Sequence, residues 1–461
     1  MSRTPTLRDP LWGNIRLDEI AAEVVDARPF QKLRGVKQLG FTSLVYPGAV
    51  HTRFLHAVGV YHLVTRTISE MRIGGHLQIL TDDQRDRLPE IKLAALLHDI
   101  GHRAFSHALE ELSPGLNVPM HEDRGVALLG RDPIRSILEQ LGPGAPGRIA
   151  DLIRGRSDHP LQGLVSGSLD LDKIDYLRRD SLFCGVPYGA VDFERLVVSL
   201  TLARPPERER AGGPPAPVEL AVAEKGIGAL ETVFFSKYRM FRNVYWHHAV
   251  RAATGVFVRL LEDVLRAGLL GTDELEEGND EAILSLIKRR LFEAGEGSDA
   301  GETANLRVAR RNWTALERRA LPKRVLEVTA EKLPETMPGW PSYRPDLLRR
   351  LERRLEREWG REPDSLMMDY PGYPDMLGLR LLLVRRHGAV RRITTLGERG
   401  LLDLPRLGHD LHRSARVFRV FSFSSGDREG GKEALDLTLT ILEAPEEQAE
   451  AALAVEPVRA A

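Results

Sequence analysis

The sequence feature that most constrains this chain is an apolar run that ends in an adjacent histidine and aspartate. Residues 93–97 are all apolar, His98 and Asp99 follow them directly, and Gly101 stands two residues further on. Such a run predicts a buried helix that carries the pair in its last turn and ends at the glycine. A buried carboxylate without a partner is costly, and a cation bound by imidazole and carboxylate removes that cost. We therefore expect a metal ion at this pair.

Composition narrows the class of protein. The 461 residues include 65 Lys and Arg against 66 Asp and Glu, so the formal net charge is −1 and there is no global basic field for nucleic acid. Cys184 is the only cysteine, which excludes an internal disulfide and a cysteine-based zinc module within one chain. No run approaches the roughly 18 apolar residues of a membrane span, and the N-terminus lacks an apolar signal core. We expect a cytoplasmic protein without membrane contact.

Histidines are concentrated around the pair. Eight of the 14 histidines lie between residues 51 and 121. A helix predicted from residue 52 places Arg53 and His56 on one face, so His56 is a candidate for a further metal ligand. His107 and Glu110 are three residues apart on the next predicted helix and face the same way, and His121 follows a loop. For His62 and His76 we favour an ordinary surface or core role.

Two downstream helices are predicted to carry further candidate side chains. On the first, Asp172, Tyr176 and Asp180 recur every four residues and share a stripe. Such a stripe is often the solvated face of a helix, but a metal site upstream still needs an acidic ligand. A long helical stretch over residues 228–265 carries a second stripe of Lys237, Phe241 and Tyr245. Aromatic residues at this spacing are usually core, and a lysine in line with them indicates a wall with a charged end.

The C-terminal half gives weaker signals. An amphipathic helix is predicted over residues 346–358. A hairpin is predicted over residues 379–396, and strands over 218–222, 416–423 and 435–442. The end of the chain is rich in Ala and Glu and is predicted to be frayed.

The order and spacing of the candidate ligands resemble a known family. His56, the His98-Asp99 pair and Asp172 resemble the H…HD…D pattern of HD-domain metallophosphohydrolases. More narrowly, residues 30–40 and 46–56 resemble the HD-domain deoxynucleoside triphosphate triphosphohydrolases, which include sterile-alpha-motif and HD-domain enzymes of animals and bacterial dGTPases. The resemblance covers residues 9 to about 260.

The resemblance implies a mostly α-helical fold with an HD-domain helical core and a smaller mixed α/β C-terminal lobe. The catalytic core is expected over residues 1–265, with the metal site within 50–180 and a nucleotide wall within 228–260. The C-terminal lobe is expected over residues 266–445 and the frayed tail over 446–461.

The resemblance also implies a role for each matching position. The metal would be held by His56, His98, Asp99 and Asp172. It would activate water for attack on the α-phosphorus of a dNTP, and Asp99 could bridge to a second ion. The catalytic side chains would be His102, His107, Glu110 and His121. Among them, His107 would stand near the 5′ oxygen as general acid, and Glu110 would orient His121. Position 110 is Asp in the animal enzymes and Glu in the bacterial dGTPases.

The substrate pocket is implied in the same way. The substrate-binding positions would be Gln38, Leu39, Arg53, Lys173, Tyr176, Asp180, Lys237, Phe241 and Tyr245. Arg53, Lys173 and Lys237 would neutralise the triphosphate. Lys237 stands at a position where arginine is usual. Gln38 and Asp180 would hydrogen-bond the 3′ hydroxyl, while Leu39 and Tyr245 would close the space of a ribose 2′ hydroxyl. The products would be a deoxynucleoside and inorganic triphosphate.

A regulatory site is implied at Asp26, Gln31 and Arg34. These correspond to residues that grip a guanine base at a subunit interface in the animal enzymes. GTP or dGTP would then promote a homo-oligomer, a dimer or tetramer. The lysine expected to bind the phosphates of that nucleotide falls at Pro5, and Gln31 and Arg34 could instead tie their helix to its neighbours.

Two alternative functions stay open at this stage. An HD-type nucleotidase or phosphodiesterase needs fewer cations than Arg53, Lys173 and Lys237 supply. A nucleotide-regulated protein that binds single-stranded nucleic acid would use the arginine-rich segments 307–319 and 344–361, although these alternate with Glu and apolar residues. Iron, manganese, zinc or a mixed pair with magnesium would each suit the ligands, and the sequence does not indicate the base.

Overall fold

A computed structural model describes most of the chain. The described residues are 5–113, 116, 118–206, 216–293, 304–329, 340–342, 344–372, 381–393, 411, 414–424 and 432–454. They are mostly helical, which confirms the predicted fold class. Within these residues, no helix has the length and apolar character needed to cross a membrane.

Helices precede, carry and follow the His-Asp pair. The first group is α1 (Glu19–Asp26), α2 (Arg28–Gln31), α3 (Arg53–Ile73), α4 (Asp82–Asp86), α5 (Leu88–Leu97), α6 (Ser106–Glu110), α7 (His121–Leu129), α8 (Ile134–Glu139), α9 (Ala145–Ile153), α10 (Leu171–Cys184) and α11 (Phe193–Val197). The second group is α12 (Ile227–Met240), α13 (His248–Arg266), α14 (Glu274–Glu277), α15 (Asp280–Glu293), α16 (Ala304–Glu317), α17 (Pro345–Glu358), α18 (Lys432–Glu443) and α19 (Glu446–Ala454).

Short strands form small sheets at the periphery. The strands are β1 (Thr6–Asp9), β2 (Gly13–Arg16), β3 (Leu200–Ala203), β4 (Glu219–Ala223), β5 (Lys323–Thr329), β6 (Leu366–Asp369), β7 (Leu382–Val384), β8 (Val390–Arg392) and β9 (Val417–Ser422). β1 and β2 form an N-terminal hairpin, and the other sheets have the orders β3-β4-β7-β8 and β5-β9-β6. β4, the β7-β8 hairpin and β9 confirm the strands predicted in these regions, as far as they lie within the described residues.

Three helices, α3, α5 and α10, form the scaffold of the candidate site. α5 is buried along most of its length, as its apolar sequence predicts, and Pro89 lies in its first turn. α3 begins directly after the extended residue Thr52 and packs against both α5 and α10. Gly59 allows α3 and α10 to approach closely, because a methyl group there would collide with the Asp175 carboxylate and the Arg179 guanidinium.

The apolar core consists of several clusters of buried side chains. The largest joins α1, α3, α5, α9, α10 and α12, and it also contains residues of β3, β4 and β7. A second cluster joins α6 and α13 to α15 and α16. A third packs α17, α18 and α19 against β6 and β9. Because the second cluster spans the expected boundary at residues 265–266, the division of the chain into two lobes at that point stays a prediction.

Two predictions for the C-terminal region were wrong. Residues 435–442 belong to the helix α18 and not to a strand. The alternation of Leu with Asp and Thr is typical of a strand, but Thr438, Ile441 and Leu442 are buried at helical spacing where α18 packs against α17. The segment expected to be frayed forms α19, whose Ala449 is fully buried. Packing against α17 orders α19, and residues 455–461 lie outside the described part of the chain.

Candidate metal centre and substrate pocket

Four side chains from three helices converge at one point. His56 lies in the first turn of α3, His98 and Asp99 directly follow α5, and Asp172 lies in the first turn of α10. The two Nε2 atoms of His56 and His98 are 3.3 Å apart. Asp172 Oδ1 lies 2.9 Å from His56 Nε2 and 3.6 Å from His98 Nε2. The Asp99 carboxylate completes the group, with Oδ2 3.7 Å from His56 Nε2 and Oδ1 3.4 Å from His98 Nε2.

The orientation of both imidazoles suits a divalent metal. His56 Nδ1 lies 2.8 Å from Asp175 Oδ2, and His98 Nδ1 lies 2.8 Å from the carbonyl oxygen of Ala95. Each Nδ1 therefore has an acceptor behind it, which leaves Nε2 free to face the cluster. Metal-binding histidines in proteins are usually held in this way. The ligand atoms of His56, His98 and Asp99 lie within 4.8 Å of one another, and the set of imidazole nitrogens and carboxylate oxygens fits a divalent transition metal.

The charges of the cluster favour a bound cation. Burial acts to lower the pKa of His56, but its hydrogen bonds to Asp172 and Asp175 raise that pKa to about 10. Burial acts to raise the pKa of Asp99, but His102, His98 and Arg53 hold it well below its ordinary value. The carboxylates are therefore ionised and attract a positive charge. A bound metal would take the place of the proton on His56.

Arg53 connects the ligand cluster to the neighbouring histidines. Its Nη1 donates to Asp99 Oδ2 at 2.7 Å, and its Nη2 lies 2.9 Å from His107 Nε2. Arg53 is buried, and its Nε has no hydrogen-bond partner within the described residues. A guanidinium that is buried beside a metal site can neutralise an anionic ligand there.

The predicted catalytic side chains form a contiguous group beside Asp99. His102 Nε2 lies 3.2 Å from Asp99 Oδ1, and the His102 ring stacks on His121 with centroids 4.0 Å apart. Glu110 Oε1 lies 2.5 Å from His121 Nδ1, and its Oε2 lies 3.5 Å from His107 Nδ1. Burial acts to raise the pKa of Glu110, but the hydrogen bonds from the two histidines hold it well below its ordinary value. The structure thus brings His107, Glu110 and His121 together, and their catalytic roles stay a prediction.

A polar and aromatic wall continues along α10. The Asp180 carboxylate accepts a hydrogen bond from Tyr245 Oη at 2.6 Å and lies 2.7 Å from His51 Nε2. The Tyr176 ring lies 6.5 Å from the Tyr245 ring. Gln38 hydrogen-bonds the His51 carbonyl through its backbone N–H, and its buried side-chain oxygen Oε1 has no partner among the described residues. Leu39 follows Gln38 in the chain and is half-buried.

The stripe of Lys237, Phe241 and Tyr245 runs from α12 into a π-helical turn. The single long helix predicted over residues 228–265 is interrupted directly after this turn. α12 ends at Met240, a π-helical turn covers Phe241–Tyr245, and α13 begins at His248. Such turns are rare and occur frequently at functional sites. Lys237 is buried near the Phe241 ring, and the Phe241 and Tyr245 rings are 5.0 Å apart. At the end of this turn, the Tyr245 hydroxyl reaches Asp180.

Lys173, the third residue predicted to bind the triphosphate, contacts groups at the start of α10. Lys173 Nζ lies 2.5 Å from the carboxylate of Asp170, which caps the helix, and 3.0 Å from the Gly167 carbonyl oxygen. To bind a phosphate, Lys173 would have to exchange these contacts for the substrate.

Two residues of the predicted regulatory site, Gln31 and Arg34, contact each other. Gln31 accepts a hydrogen bond from Arg34 at 2.8 Å and donates one to the Val25 carbonyl oxygen at 2.7 Å. The Arg34 guanidinium lies 3.5 Å from the centre of the Phe54 ring, while Asp26 is exposed. Such contacts hold a helix to its neighbours, which is the alternative role that the sequence analysis gave for Gln31 and Arg34.

Sequence reasoning missed three residues at this site. Asp175 and Arg179 stand fully buried behind His56, and His51 contacts Asp180. Asp175 lies three residues after Asp172, so the two carboxylates are neighbours on α10, and Arg179 follows at the spacing of a helical ion pair. That spacing was the available signal, but it is equally typical of a solvated helix face.

Comparisons with known proteins agree with this geometry. Residues 53–180 match the HD domain model, and residues 191–398 match the model of the HD associated region. The uncharacterized protein YwfO of Bacillus subtilis is 33% identical over 265 residues, which are 57% of this chain and 56% of that protein. The deoxynucleoside triphosphate triphosphohydrolase SAMHD1 homolog of Dictyostelium discoideum is 28% identical over 252 residues, 52% of this chain and 46% of that protein. The chain thus spans about half the length of these curated relatives.

The fold agrees with solved structures as well. The crystal structure of a hypothetical protein from Aquifex aeolicus has a TM-score of 0.65 and 26% sequence identity, and the match covers 94% of this chain and 99% of that chain. The ligand cluster lies within the residues that match the HD domain model, and it forms a candidate site for a metal. In sequence, the chain is similar to HD-domain proteins, among them a named dNTP triphosphohydrolase.

Proposed function

We propose that the protein hydrolyses dNTPs to a deoxynucleoside and inorganic triphosphate. The observation that carries the proposal is the position of Asp180 on the same helix as the metal ligand Asp172. The two are eight residues, or about 12 Å, apart along the helix axis, so one nucleotide can extend from the metal centre to the wall formed by Asp180, Tyr245 and Gln38. Similarity to a named dNTP triphosphohydrolase supports the same substrate class.

The side chains divide the chemistry between them. A divalent metal held by His56, His98, Asp99 and Asp172 would supply charge stabilisation and an activated water. Arg53, together with Lys173 and Lys237, would neutralise the triphosphate. His107 is largely exposed and can reach a substrate, so we assign it the proton that the leaving 5′ oxygen requires. Glu110 would hold His121 in one orientation through their hydrogen bond.

Sugar selection would come from the wall along α10. A 3′ hydroxyl would donate its hydrogen to the Asp180 carboxylate and accept a hydrogen bond from the side-chain amide of Gln38. Tyr245, held by Asp180, and Leu39 would fill the space that a 2′ hydroxyl needs. A ribonucleotide would then lose a hydrogen bond or collide with the ring, which discriminates more strongly than a missing apolar contact.

A product assay with a full substrate set tests the proposal. Metal-reconstituted protein is incubated with each dNTP and each NTP, and the released phosphate species is identified. We expect triphosphate from dNTPs and little turnover of NTPs. Release of orthophosphate from monophosphates, or cleavage of phosphodiesters, would assign the site to an HD nucleotidase or phosphodiesterase instead. Salt-dependent binding of single-stranded nucleic acid without turnover would favour a binding protein.

We also propose that Asp26, Gln31 and Arg34 bind a guanine nucleotide that promotes assembly. Amide, guanidinium and carboxylate can together satisfy both edges of guanine. GTP or dGTP should then shift the protein to a larger oligomer and raise turnover of a different dNTP. Arg34→Ala should remove this response and leave the metal content unchanged. Sedimentation and rates that ignore guanine nucleotides would leave Gln31 and Arg34 with their helix contacts alone.

A further inference from the structure

Behind the metal ligand His56 lies a carboxylate with no role in the chemistry described so far. Asp175 is fully buried on α10, and its Oδ2 lies 2.8 Å from His56 Nδ1. The opposite ring nitrogen of His56 faces Asp172 and His98. The direction of the ligand atom therefore depends on where Asp175 holds the other side of the ring.

Asp175 is itself fixed from several directions. Arg179 Nε donates to Oδ2 at 2.7 Å, and Arg179 Nη2 donates to Oδ1 at 2.9 Å. The Trp12 indole N–H donates to Oδ1 at 2.5 Å. With His56, this gives each carboxylate oxygen two donors, so the carboxylate cannot rotate without breaking a buried hydrogen bond.

The far end of this network lies in the N-terminal hairpin. Arg179 Nη1 donates to Asp9 Oδ2 at 2.8 Å, and Asp9 Oδ1 accepts from the backbone N–H groups of Leu11 and Trp12. Arg179 has no exposed side-chain surface and Asp9 almost none. The turn between β1 and β2 is thereby linked to His56 through buried charged groups.

We infer that Asp175 is a positioning residue of the metal centre, which holds the His56 imidazole so that Nε2 points at the metal. Arg179, Trp12 and Asp9 fix Asp175 in turn. The inference rests on the metal-binding part of the proposed function and does not depend on the substrate. Partners that orient a ligating histidine typically change metal affinity about 10- to 100-fold when they are removed.

The test compares two acids that pair with the same arginine. Asp175→Asn and Asp9→Asn each remove one charge beside Arg179 inside the protein, but only Asp175 touches His56. Mn²⁺ binding to the metal-free full chain is measured by calorimetry, and cooperative unfolding is measured beside it. We expect Asp175→Asn to weaken Mn²⁺ binding about 10- to 100-fold and Asp9→Asn to have a much smaller effect. The visible spectrum of Co²⁺-loaded protein should change in Asp175→Asn alone.

Other results would overturn the inference. Wild-type Mn²⁺ affinity in Asp175→Asn, or equal weakening in both variants, would make Asp175 part of the structural support only. If Asp175→Asn does not unfold cooperatively, Trp12→Phe takes its place, since it removes one donor to Asp175 and keeps a ring against Phe193. Wild-type affinity in Trp12→Phe would then overturn the inference. Failure of the unmodified protein to bind Mn²⁺ would instead contradict the proposed function.

Discussion

At the scale of single residues, the site separates groups that hold a charge from groups that orient a neighbour. Asp99 contacts His56, His98, His102 and Arg53, so it joins the candidate metal ligands to the proposed catalytic side chains. Within the described part of the chain, the ion pairs of Glu110 are all with histidines, and His121 is stacked on His102. The two kinds of residue predict different consequences of substitution.

Asp99→Ala is expected to abolish metal retention and hydrolysis while the protein still folds. The variant loses a ligand atom and the negative charge that a cation would compensate. Metal analysis of purified protein and its unfolding transition provide the check, with Asp123→Ala at an exposed acid as control. A full metal content in folded Asp99→Ala would remove Asp99 from the ligand set.

Glu110→Gln and His121→Ala are expected to keep the metal and lose turnover. Both would act through proton transfer and positioning, which typically contribute factors of about 10² to 10⁴ in rate. Metal content and kcat are measured on the same preparations. Near-normal kcat in either variant would show that its side chain is structural.

At the scale of elements, the site depends on the close contact of α3 with α10. The sequence predicted α5 from an unbroken apolar run, and α3 and α10 from side chains that recur every three or four residues. It did not predict that Asp175 turns inward, since a buried acid at helical spacing is indistinguishable from a solvated one until α3 is placed against it. The π-helical turn Phe241–Tyr245 was missed for a similar reason, because contacts between elements decide where that helix is interrupted.

For residues 435–442, the local sequence pattern predicted the wrong type of element. Their local alternation is that of a strand, yet burial against α17 selects a helix. Candidate ligands could thus be predicted from local pattern and resemblance, whereas the groups that orient them depend on tertiary packing.

Gly59→Ala tests the contact between α3 and α10. The added methyl group would collide with Asp175 and Arg179, so we expect a loss of about 1 to 3 kcal/mol in the free energy of unfolding, together with weaker Mn²⁺ binding. Gly228→Ala in α12 is the matched control, because no atom lies within 4 Å of its added methyl. The control should leave stability equal or raise it by about 0.5 to 1 kcal/mol. Equal stability of the two variants would contradict the close approach.

At the scale of the whole molecule, segments on both sides of residue 265 brace the site. Arg124 donates to the Gly101 carbonyl oxygen at 2.8 Å and pairs with Glu276, which also binds Arg103. α14 therefore supports the loop that carries His102. Asp280, at the start of α15, accepts a hydrogen bond from the backbone N–H of Lys37 at 3.0 Å. The stability of the N-terminal region is thus coupled to residues that follow α13.

The pH dependence of unfolding tests this coupling at Asp280. Burial raises the pKa of Asp280 from its ordinary value of 3.8 to about 6, although the hydrogen bond from Lys37 opposes the shift. Because the folded state then prefers the protonated acid, its stability falls as pH rises from about 4 to above 6. Asp280→Asn keeps an acceptor oxygen without this cost, so it should gain up to about 3 kcal/mol over the wild type between those limits.

The measurement is denaturant unfolding of both proteins at each end of that range. Glu281→Gln, at the exposed neighbour, is the control. A difference between Asp280→Asn and the wild type that does not change with pH would contradict the raised pKa.

The central claim is hydrolysis of dNTPs at the α-phosphorus, and an isotope experiment tests it most directly. Metal-reconstituted protein is run with a dNTP in ¹⁸O-labelled water, and both products are analysed by mass spectrometry. Attack on the α-phosphorus with loss of the 5′ oxygen puts one ¹⁸O into the released triphosphate and none into the deoxynucleoside. Label in the nucleoside product, or release of pyrophosphate or orthophosphate with a nucleotide left behind, would contradict the claim.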